Sequence, residues 1–168
     1  MPGRQILDAA ITTHEVIHSM EKNRQPGMAF KLDISKAYDK VNWDFLHDVL
    51  ERIGFSNRII NLIMTMVGSV QYSVLLNGSP WGNFAAEKGL RQGDPLSPYL
   101  FIMVAEVLGR SFYKLVSMDC VKGVEPATTT ETKVIQKFVD DTFLFGESSV
   151  MEEEAWKMIL HNYKEILG

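Results

Sequence analysis

The chain has 168 residues, of which 46% are apolar and 23% are charged. These values are typical of one ordinary globular domain, or part of one, and they exclude a disordered tail, a collagen-like fibre and a disulfide-rich miniprotein. The single cysteine, Cys120, excludes an internal disulfide and a zinc site built from several cysteines.

The net charge of −4 arises in residues 131–168, which carry 8 acidic and 4 basic side chains. Proteins that grip a phosphate backbone usually carry a basic surplus, so this balance argues against nucleic-acid binding by this chain alone. The most apolar stretches are shorter than the roughly 20 residues that a membrane-spanning helix needs. The N-terminus lacks the apolar run of a signal peptide.

The first part of the chain predicts a helix, a strand and two further helices. Apolar residues at helical spacing predict a helix over 5–23, which Gln25-Pro26-Gly27 ends. Residues 28–34 alternate between apolar and polar side chains, which predicts a half-buried strand with Asp33 near its C-terminal end. Two helices are then expected over 42–53 and 56–68, divided at Gly54, with Ser56 as the N-cap.

The rest of the chain predicts two hairpins that alternate with two helices. Asn77-Gly78 is a strong turn signal, and Ser97-Pro98 is a typical helix start. The strands and helices are expected over 70–76, 81–86, 97–115, 134–139, 142–145 and 150–167. This order predicts one α+β domain over 1–168, with an antiparallel sheet and helices packed on one face.

Two carboxylates, Asp140 and Asp141, lie between the last two predicted strands. Asp-Asp is not a favoured sequence for a tight hairpin turn. One interpretation is that it forms a solvent-exposed turn that the fold tolerates. The alternative is a divalent-cation site, because hard cations such as Mg²⁺ prefer carboxylate oxygens. With Asp33, three carboxylates on neighbouring strands could hold two cations and support phosphoryl transfer.

The segment from Lys88 to Pro98 contains Gly89 and Gly93, which allow a backbone to approach a ligand closely. Arg91 and Gln92 can donate hydrogen bonds to phosphate or to base edges. A plain loop between a strand and a helix is the alternative interpretation.

The segment His14-Glu15-Val16-Ile17-His18 matches the H-E-x-x-H pattern of zinc peptidases on a predicted helix. The extended form of that pattern requires glycine and histidine where this chain has Glu21 and Arg24, and no third ligand stands out. The bland interpretation places both histidines on the wetter flank of an amphipathic helix.

Three segments together resemble the reverse transcriptase domain of non-LTR (LINE-type) retrotransposons in their order and spacing. They are Lys31-Leu32-Asp33 through Lys36-Ala37-Tyr38-Asp39, then Gly89 through Pro98, then Phe138-Val139-Asp140-Asp141. Gly3-Arg4-Gln5-Ile6 is also similar to that family's segment ahead of the first carboxylate strand. The resemblance covers nearly the whole chain and explains the Asp-Asp turn.

The resemblance implies a polymerase palm with partial fingers and no thumb, in which Asp33, Asp140 and Asp141 hold two Mg²⁺ ions, with Mn²⁺ as a possible substitute. It implies that Tyr38 lies under the incoming sugar and excludes a 2′-hydroxyl, and that Gln92 and Gly93 lie along the template base and nucleotide. The implied partners are an RNA template, a DNA primer, dNTPs and the remainder of the retroelement polyprotein, in the cytoplasm or nucleus.

Two departures from the family pattern are visible. Val139 stands where the family usually has alanine, which is a small apolar change. The basic fingers segment, the thumb and the endonuclease of the family have no counterpart in the chain. We therefore expect a fragment that is inactive or nearly so by itself. The competing hypotheses are a non-catalytic retroelement remnant and a zinc metallopeptidase.

Overall fold

The computed structural model describes residues 6–22, 24, 27–33, 36–124, 134–138 and 141–167. Its helices are α1 (Ile6–Lys22), α2 (Trp43–Ile53), α3 (Asn57–Gly68), α4 (Ser97–Ser117) and α5 (Val150–Leu167). Its strands are β1 (Gly27–Asp33), β2 (Gln71–Leu76), β3 (Ser79–Ala85), β4 (Ile135–Phe138) and β5 (Asp141–Glu147). A short 3₁₀ helix covers Tyr38–Lys40. None of the described helices is long and apolar enough to cross a membrane.

Local sequence signals account for several of these element ends. Asn77 and Gly78 have φ angles of 50° and 82°, the left-handed values that a tight hairpin turn requires. Gly54 ends α2 with a φ of 100°, as its predicted dividing role requires. Ser56 occupies the N-cap position of α3 but makes no capping hydrogen bond with its side chain. Asn42 does cap α2, because its side chain accepts a hydrogen bond from the Phe45 amide.

The chain divides into two compact units. Unit 1 comprises residues 1–35 and 108–163, and unit 2 comprises residues 36–107 and 164–168. Unit 1 therefore holds α1, β1, β4 and β5, and unit 2 holds α2, α3, β2 and β3.

Unit 1 is built on a three-stranded antiparallel sheet in the order β1-β5-β4. The central strand, β5, carries consecutive apolar side chains, and Leu144 and Phe145 are both 0% exposed. Phe145 packs in a core cluster with Val16 and Met20 of α1. Neighbouring residues of a strand point to opposite faces, so another element must pack against the face that carries Leu144.

The element that packs on this second face is α5. A Cβ added to Gly146 would lie 2.5 Å from the Trp156 ring, so α5 packs directly on the face that Leu144 and Gly146 share. The expectation of helices on one face is therefore wrong, because helices cover both faces of β5. The physical reason is the apolar run Phe143-Leu144-Phe145, which is typical of a strand buried on both sides rather than of an alternating one.

Glu152 fastens α5 to the end of β5. The residue is 3% exposed, and its carboxylate accepts hydrogen bonds from the backbone amides of Lys122 and Glu147, at 2.8 and 3.0 Å. These two donors satisfy a carboxylate that would be costly to bury without partners.

Unit 2 has its core between helices, while its hairpin is exposed. The buried apolar side chains of α2, α3 and the first part of α4 are Leu46, Val49, Leu50, Ile60, Ile63, Leu100, Phe101 and Val104. Every residue of β2 and β3 is exposed. The hairpin is antiparallel and contains an irregularity between Tyr72 and Val74.

Candidate functional site

The carboxylates predicted on neighbouring strands fall on a paired position of the unit 1 sheet. Asp33 is the last residue of β1 and is exposed. The strand register pairs it directly with Asp141, the first residue of β5. Asp140 lies outside the described residues, and of Asp141 only the backbone is described. The structure thus brings two of the three predicted acidic positions to one end of one strand pair.

A cationic side chain, Lys31, lies two register positions from this pair. Lys31 is paired with Phe143, and its Nζ lies 5.8 Å from the centroid of the Phe143 ring. Lys31 and Asp33 are two residues apart on one strand and therefore share a face. Sequence reasoning did not single out Lys31, although its place two residues before Asp33 in an extended strand was a usable signal.

Tyr38 begins the 3₁₀ helix of unit 2 and is half-buried. Its ring stacks on Phe101 of α4 with a centroid separation of 4.6 Å and an interplanar angle of 16°. Stacking of this kind restricts the orientation of the tyrosine ring. Phe101 was not predicted as a site residue, because nothing in its local sequence pattern indicates which ring it meets.

The loop before α4 presents three consecutive exposed residues between two buried anchors. Leu90 is 3% exposed at one end and Ser97 is 5% exposed at the other. Between them, Arg91, Gln92 and Gly93 are exposed. Gly93 has a φ of 85°, so the loop turns there in a conformation that favours glycine. Near the second anchor, the Asp94 side chain accepts a hydrogen bond from the Leu96 amide at 2.7 Å.

Three hydrogen bonds join this loop to the segment that follows Tyr38, and we call them the loop clamp. The Leu90 amide donates to the Tyr38 carbonyl at 2.8 Å, and the Gly89 amide donates to the Val41 carbonyl at 2.7 Å. The indole N–H of Trp43 donates to the Gly89 carbonyl at 2.8 Å. The clamp fixes Tyr38 relative to the start of the Arg91–Gly93 loop.

Gly89 is required at this point of the clamp for two reasons. Its φ is 91°, which residues with a Cβ rarely adopt, and a Cβ there would lie 2.8 Å from the carbonyl oxygen of Asp39. The close approach that Gly89 allows in this structure is toward the chain's own backbone, at Asp39. The residue that sequence reasoning missed is Trp43, whose partner is 46 residues away.

Comparison with known proteins accounts for the three motifs together. Residues 1–166 match the family described as reverse transcriptase (RNA-dependent DNA polymerase). This chain belongs to the reverse transcriptase family. The resemblance predicted from the motifs is thereby confirmed.

Two curated relatives of this reverse transcriptase chain come from transposable elements. One is the transposon TX1 uncharacterized 149 kDa protein of Xenopus laevis, 27% identical over 92% of this chain and 12% of the relative. Another is the retrovirus-related Pol polyprotein from the type-2 retrotransposable element R2DM of Drosophila melanogaster, 27% identical over 88% of this chain and 13% of the relative. The chain thus spans about an eighth of these relatives' length.

Two telomerase structures from Candida tropicalis share the fold. An apo telomerase truncated from its C-terminal domain superposes with a TM-score of 0.62 and 16% identity, over 96% of this chain and 33% of the telomerase. A telomerase in complex with a fragment of telomeric RNA gives a TM-score of 0.64 and 15% identity, over 95% of this chain and 27% of the telomerase. At this identity the likeness shows the fold alone.

The zinc-peptidase motif does not assemble a metal centre among the described residues. His14, Glu15 and His18 are exposed on α1, and the two imidazole centroids lie 6.4 Å apart. Within the described part of the chain, the His, Asp and Glu ligand atoms that approach within 4.8 Å of one another belong to His47, Asp48 and Glu51 of α2. All three are exposed, and the group includes neither His14 nor His18.

Proposed function

We propose that this chain is the nucleotidyl-transferring segment of an RNA-directed DNA polymerase from a non-LTR retroelement. The observation that carries the proposal is the pairing of Asp33 with Asp141 at one end of β1 and β5, in a member of the reverse transcriptase family. In this proposal the β1-β5-β4 sheet is the polymerase palm, and part of unit 2 belongs to the fingers.

The donor chemistry at this strand end fits a divalent cation. Asp33 offers an exposed carboxylate opposite a second acidic position, and Mg²⁺ prefers hard oxygen ligands of this type. We assign Asp33, Asp140 and Asp141 as ligands of two Mg²⁺ ions, which Mn²⁺ could replace. When bound, the ions supply charge neutralisation at the attacking and leaving oxygens of the transfer.

The remaining assignments concern residues of unit 2. The Tyr38 ring, held by its stack on Phe101, takes the sugar of the incoming nucleotide and excludes a 2′-hydroxyl. Gln92 and Gly93 lie along the template base and nucleotide, and Arg91 donates to phosphate. Their exposure on a loop anchored at both ends is what such contacts require. The substrates are dNTPs, a DNA primer and an RNA template, and the remainder of the polyprotein is the partner.

A non-catalytic remnant is the second candidate. It is disfavoured because the chain contains every residue that the proposal needs, namely Asp33, Asp140, Asp141, Tyr38, Gln92 and Gly93. Loss of one of the paired acidic positions, or a side chain at Gly89 where a Cβ would clash, would favour a remnant, and the chain shows neither change.

Polymerase activity is tested by grafting residues 1–168 into a complete, active non-LTR reverse transcriptase in place of its matching segment. We expect Mg²⁺-dependent dNTP incorporation on a primed RNA template, and a loss of at least about a thousandfold for Asp33→Asn, the scale of a missing electrostatic group at a transfer centre. Asp119→Asn, an exposed acidic residue of unit 1, is the control and retains activity. Full activity of the Asp33→Asn graft contradicts the proposal.

Metal binding by the isolated chain is tested separately with Fe²⁺ in place of Mg²⁺. Peroxide and ascorbate then produce radicals that cut the backbone next to the bound ion. We expect cuts near residues 33 and 141 that Asp33→Asn abolishes. Cuts confined to residues 47–51 would instead assign the ion to the His47, Asp48 and Glu51 group.

A further inference from the structure

The loop clamp gives one aromatic side chain a role that its sequence context does not suggest. Two of the three clamp bonds run between backbone groups and would survive most substitutions. The third depends on the Trp43 side chain, because its indole N–H is the donor to the Gly89 carbonyl. Phenylalanine at this position would keep an aromatic ring and lose that bond.

The place of Trp43 allows its side chain to reach across the unit. Asn42 caps α2, and this fixes where the helix begins and thus the backbone position of its first residue, Trp43. The indole is half-buried, and its ring lies 3.7 Å from the position that a Cβ on Gly68 would take. The ring therefore lies beside Gly68 of α3, while its N–H reaches the Gly89 carbonyl.

The clamp acts on both parts of the proposed nucleotide subsite. Leu90 donates to the carbonyl of Tyr38, the residue that begins the 3₁₀ helix. Gln92 and Gly93 follow Gly89 by three and four residues in an exposed stretch. A change in the position of Gly89 therefore shifts the tyrosine backbone and the loop relative to one another. Displacements of about 1 Å at a reacting site can cost roughly a hundredfold in rate.

We propose that Trp43 is a positioning residue for sugar selection. By holding Gly89 through its indole N–H, it sets the spacing between the Tyr38 ring and the Gln92–Gly93 loop, and so the preference for a deoxyribonucleotide over a ribonucleotide. This inference rests on the proposed function. Trp43 acts through Gly89 and touches no substrate.

The test compares wild-type chain with Trp43→Phe in the binding of dGTP and GTP, each with Mg²⁺, by ligand-observed NMR titration. We expect wild-type chain to prefer dGTP and Trp43→Phe to lose about fivefold to tenfold of that preference, as expected for one displaced contact. Trp81→Phe is the matched control, because Trp81 lies in the same unit and is 67% exposed on β3. It retains the wild-type ratio.

Amide hydrogen exchange provides a readout that needs no nucleotide. We expect the Gly89 and Leu90 amides to exchange about fivefold faster in Trp43→Phe, because one of the three clamp bonds is lost. If Trp43→Phe does not fold, benzothienylalanine at position 43 removes the N–H while keeping the ring shape, and the same results are expected.

Two negative outcomes would overturn the inference. A Trp43→Phe chain that keeps the wild-type dGTP-to-GTP ratio overturns the inference and leaves the proposed function standing. A wild-type chain that binds dGTP and GTP equally, or binds neither, also overturns the inference, because this subsite then selects no sugar; the proposed function is decided separately by the activity of the graft.

Discussion

The β4–β5 pair and the β2–β3 hairpin both carry many apolar side chains, yet they differ in burial. Leu144 and Phe145 of β5 are 0% exposed, whereas Leu75 and Trp81 of the hairpin are 70% and 67% exposed. β5 has a strand on each side and a helix on each face, while in the described part of the chain β2 and β3 pair only with each other. Apolar content therefore does not decide burial here; the number of packing neighbours does. An isolated two-stranded hairpin is at best marginally stable.

The same contrast separates the two groups of candidate site residues. Asp33 and Asp141 lie at one end of the β1–β5 pair, in a sheet built around a buried central strand. Gln92 and Gly93 lie on a loop whose position is set by hydrogen bonds at Gly89 and Leu90. Groups on a packed sheet are held by many contacts, whereas a loop held by a few bonds responds to the loss of one.

The largest expected difference in stability is between truncation of a leucine in β5 and truncation of a leucine in the β2–β3 hairpin. Leu144→Ala should destabilise the protein by about 3 kcal/mol, because it leaves a cavity at a fully buried position. Leu75→Ala should change the stability by less than about 0.5 kcal/mol, because the side chain is already in solvent. Urea denaturation of the two variants measures both values. Equal costs would show that the hairpin is buried in solution.

Glycine substitutions sharpen the comparison. Gly146→Ala should cost about 2 kcal/mol, because the new Cβ would overlap Trp156 and the Glu152 carboxylate. Gly68→Ala, at the end of α3, should raise the stability by roughly 0.5 kcal/mol, because its Cβ would meet the Trp43 ring at an ordinary 3.7 Å. Thermal melts of both variants measure whether each substitution lowers or raises the stability. A neutral Gly146→Ala would contradict the close packing of α5 on β5.

Capping provides a matched pair within unit 2. Asn42→Ala should destabilise α2 by about 1 kcal/mol, because its side chain satisfies the Phe45 amide. Ser56→Ala should cost much less, because Ser56 makes no capping hydrogen bond with its side chain. Urea midpoints of the two variants provide the measurement. A larger cost at Ser56 would show that its hydroxyl caps α3 in solution.

The smallest expected effect concerns the acidic pair. Like charges at directly opposed strand positions destabilise a sheet, so Asp33→Asn should stabilise the metal-free chain by roughly 0.5 kcal/mol. The same change should reduce the rise in melting temperature on adding Mg²⁺. Asp119→Asn removes an equal charge from an exposed position of unit 1 and serves as the control. Lower stability of Asp33→Asn, with an unchanged response to Mg²⁺, would exclude the shared metal site.

Local chemistry made much of the secondary structure predictable. The last helix, predicted over 150–167, is α5 at Val150–Leu167. The Asn77-Gly78 turn adopts the left-handed angles that its residue types favour. The motifs around Asp33, Gln92 and Asp140 were sufficient to predict the family, because their order along the chain is itself specific. These features depend on residues that are neighbours in sequence or on the order of short motifs along the chain.

Other features required the tertiary structure. The run Phe143-Leu144-Phe145 was assigned to a strand, but its burial from both sides was not expected, because no local pattern identifies the helices that cover it. The sequence placed Tyr38 five residues after Asp33, yet only the fold showed that its ring stacks on Phe101. Contacts across many residues depend on packing, which periodicity does not encode.

By itself, the sequence determined where helices and turns begin, which carboxylates are candidates for a metal site, and which family the chain belongs to. Only the tertiary structure decided the register that sets Asp33 opposite Asp141 and the bond from Trp43 to Gly89. The physical reason is the range of the interactions. Turn angles and helix caps are satisfied within a few residues, whereas a strand partner or an indole acceptor 46 residues away is selected by the packing of the whole unit.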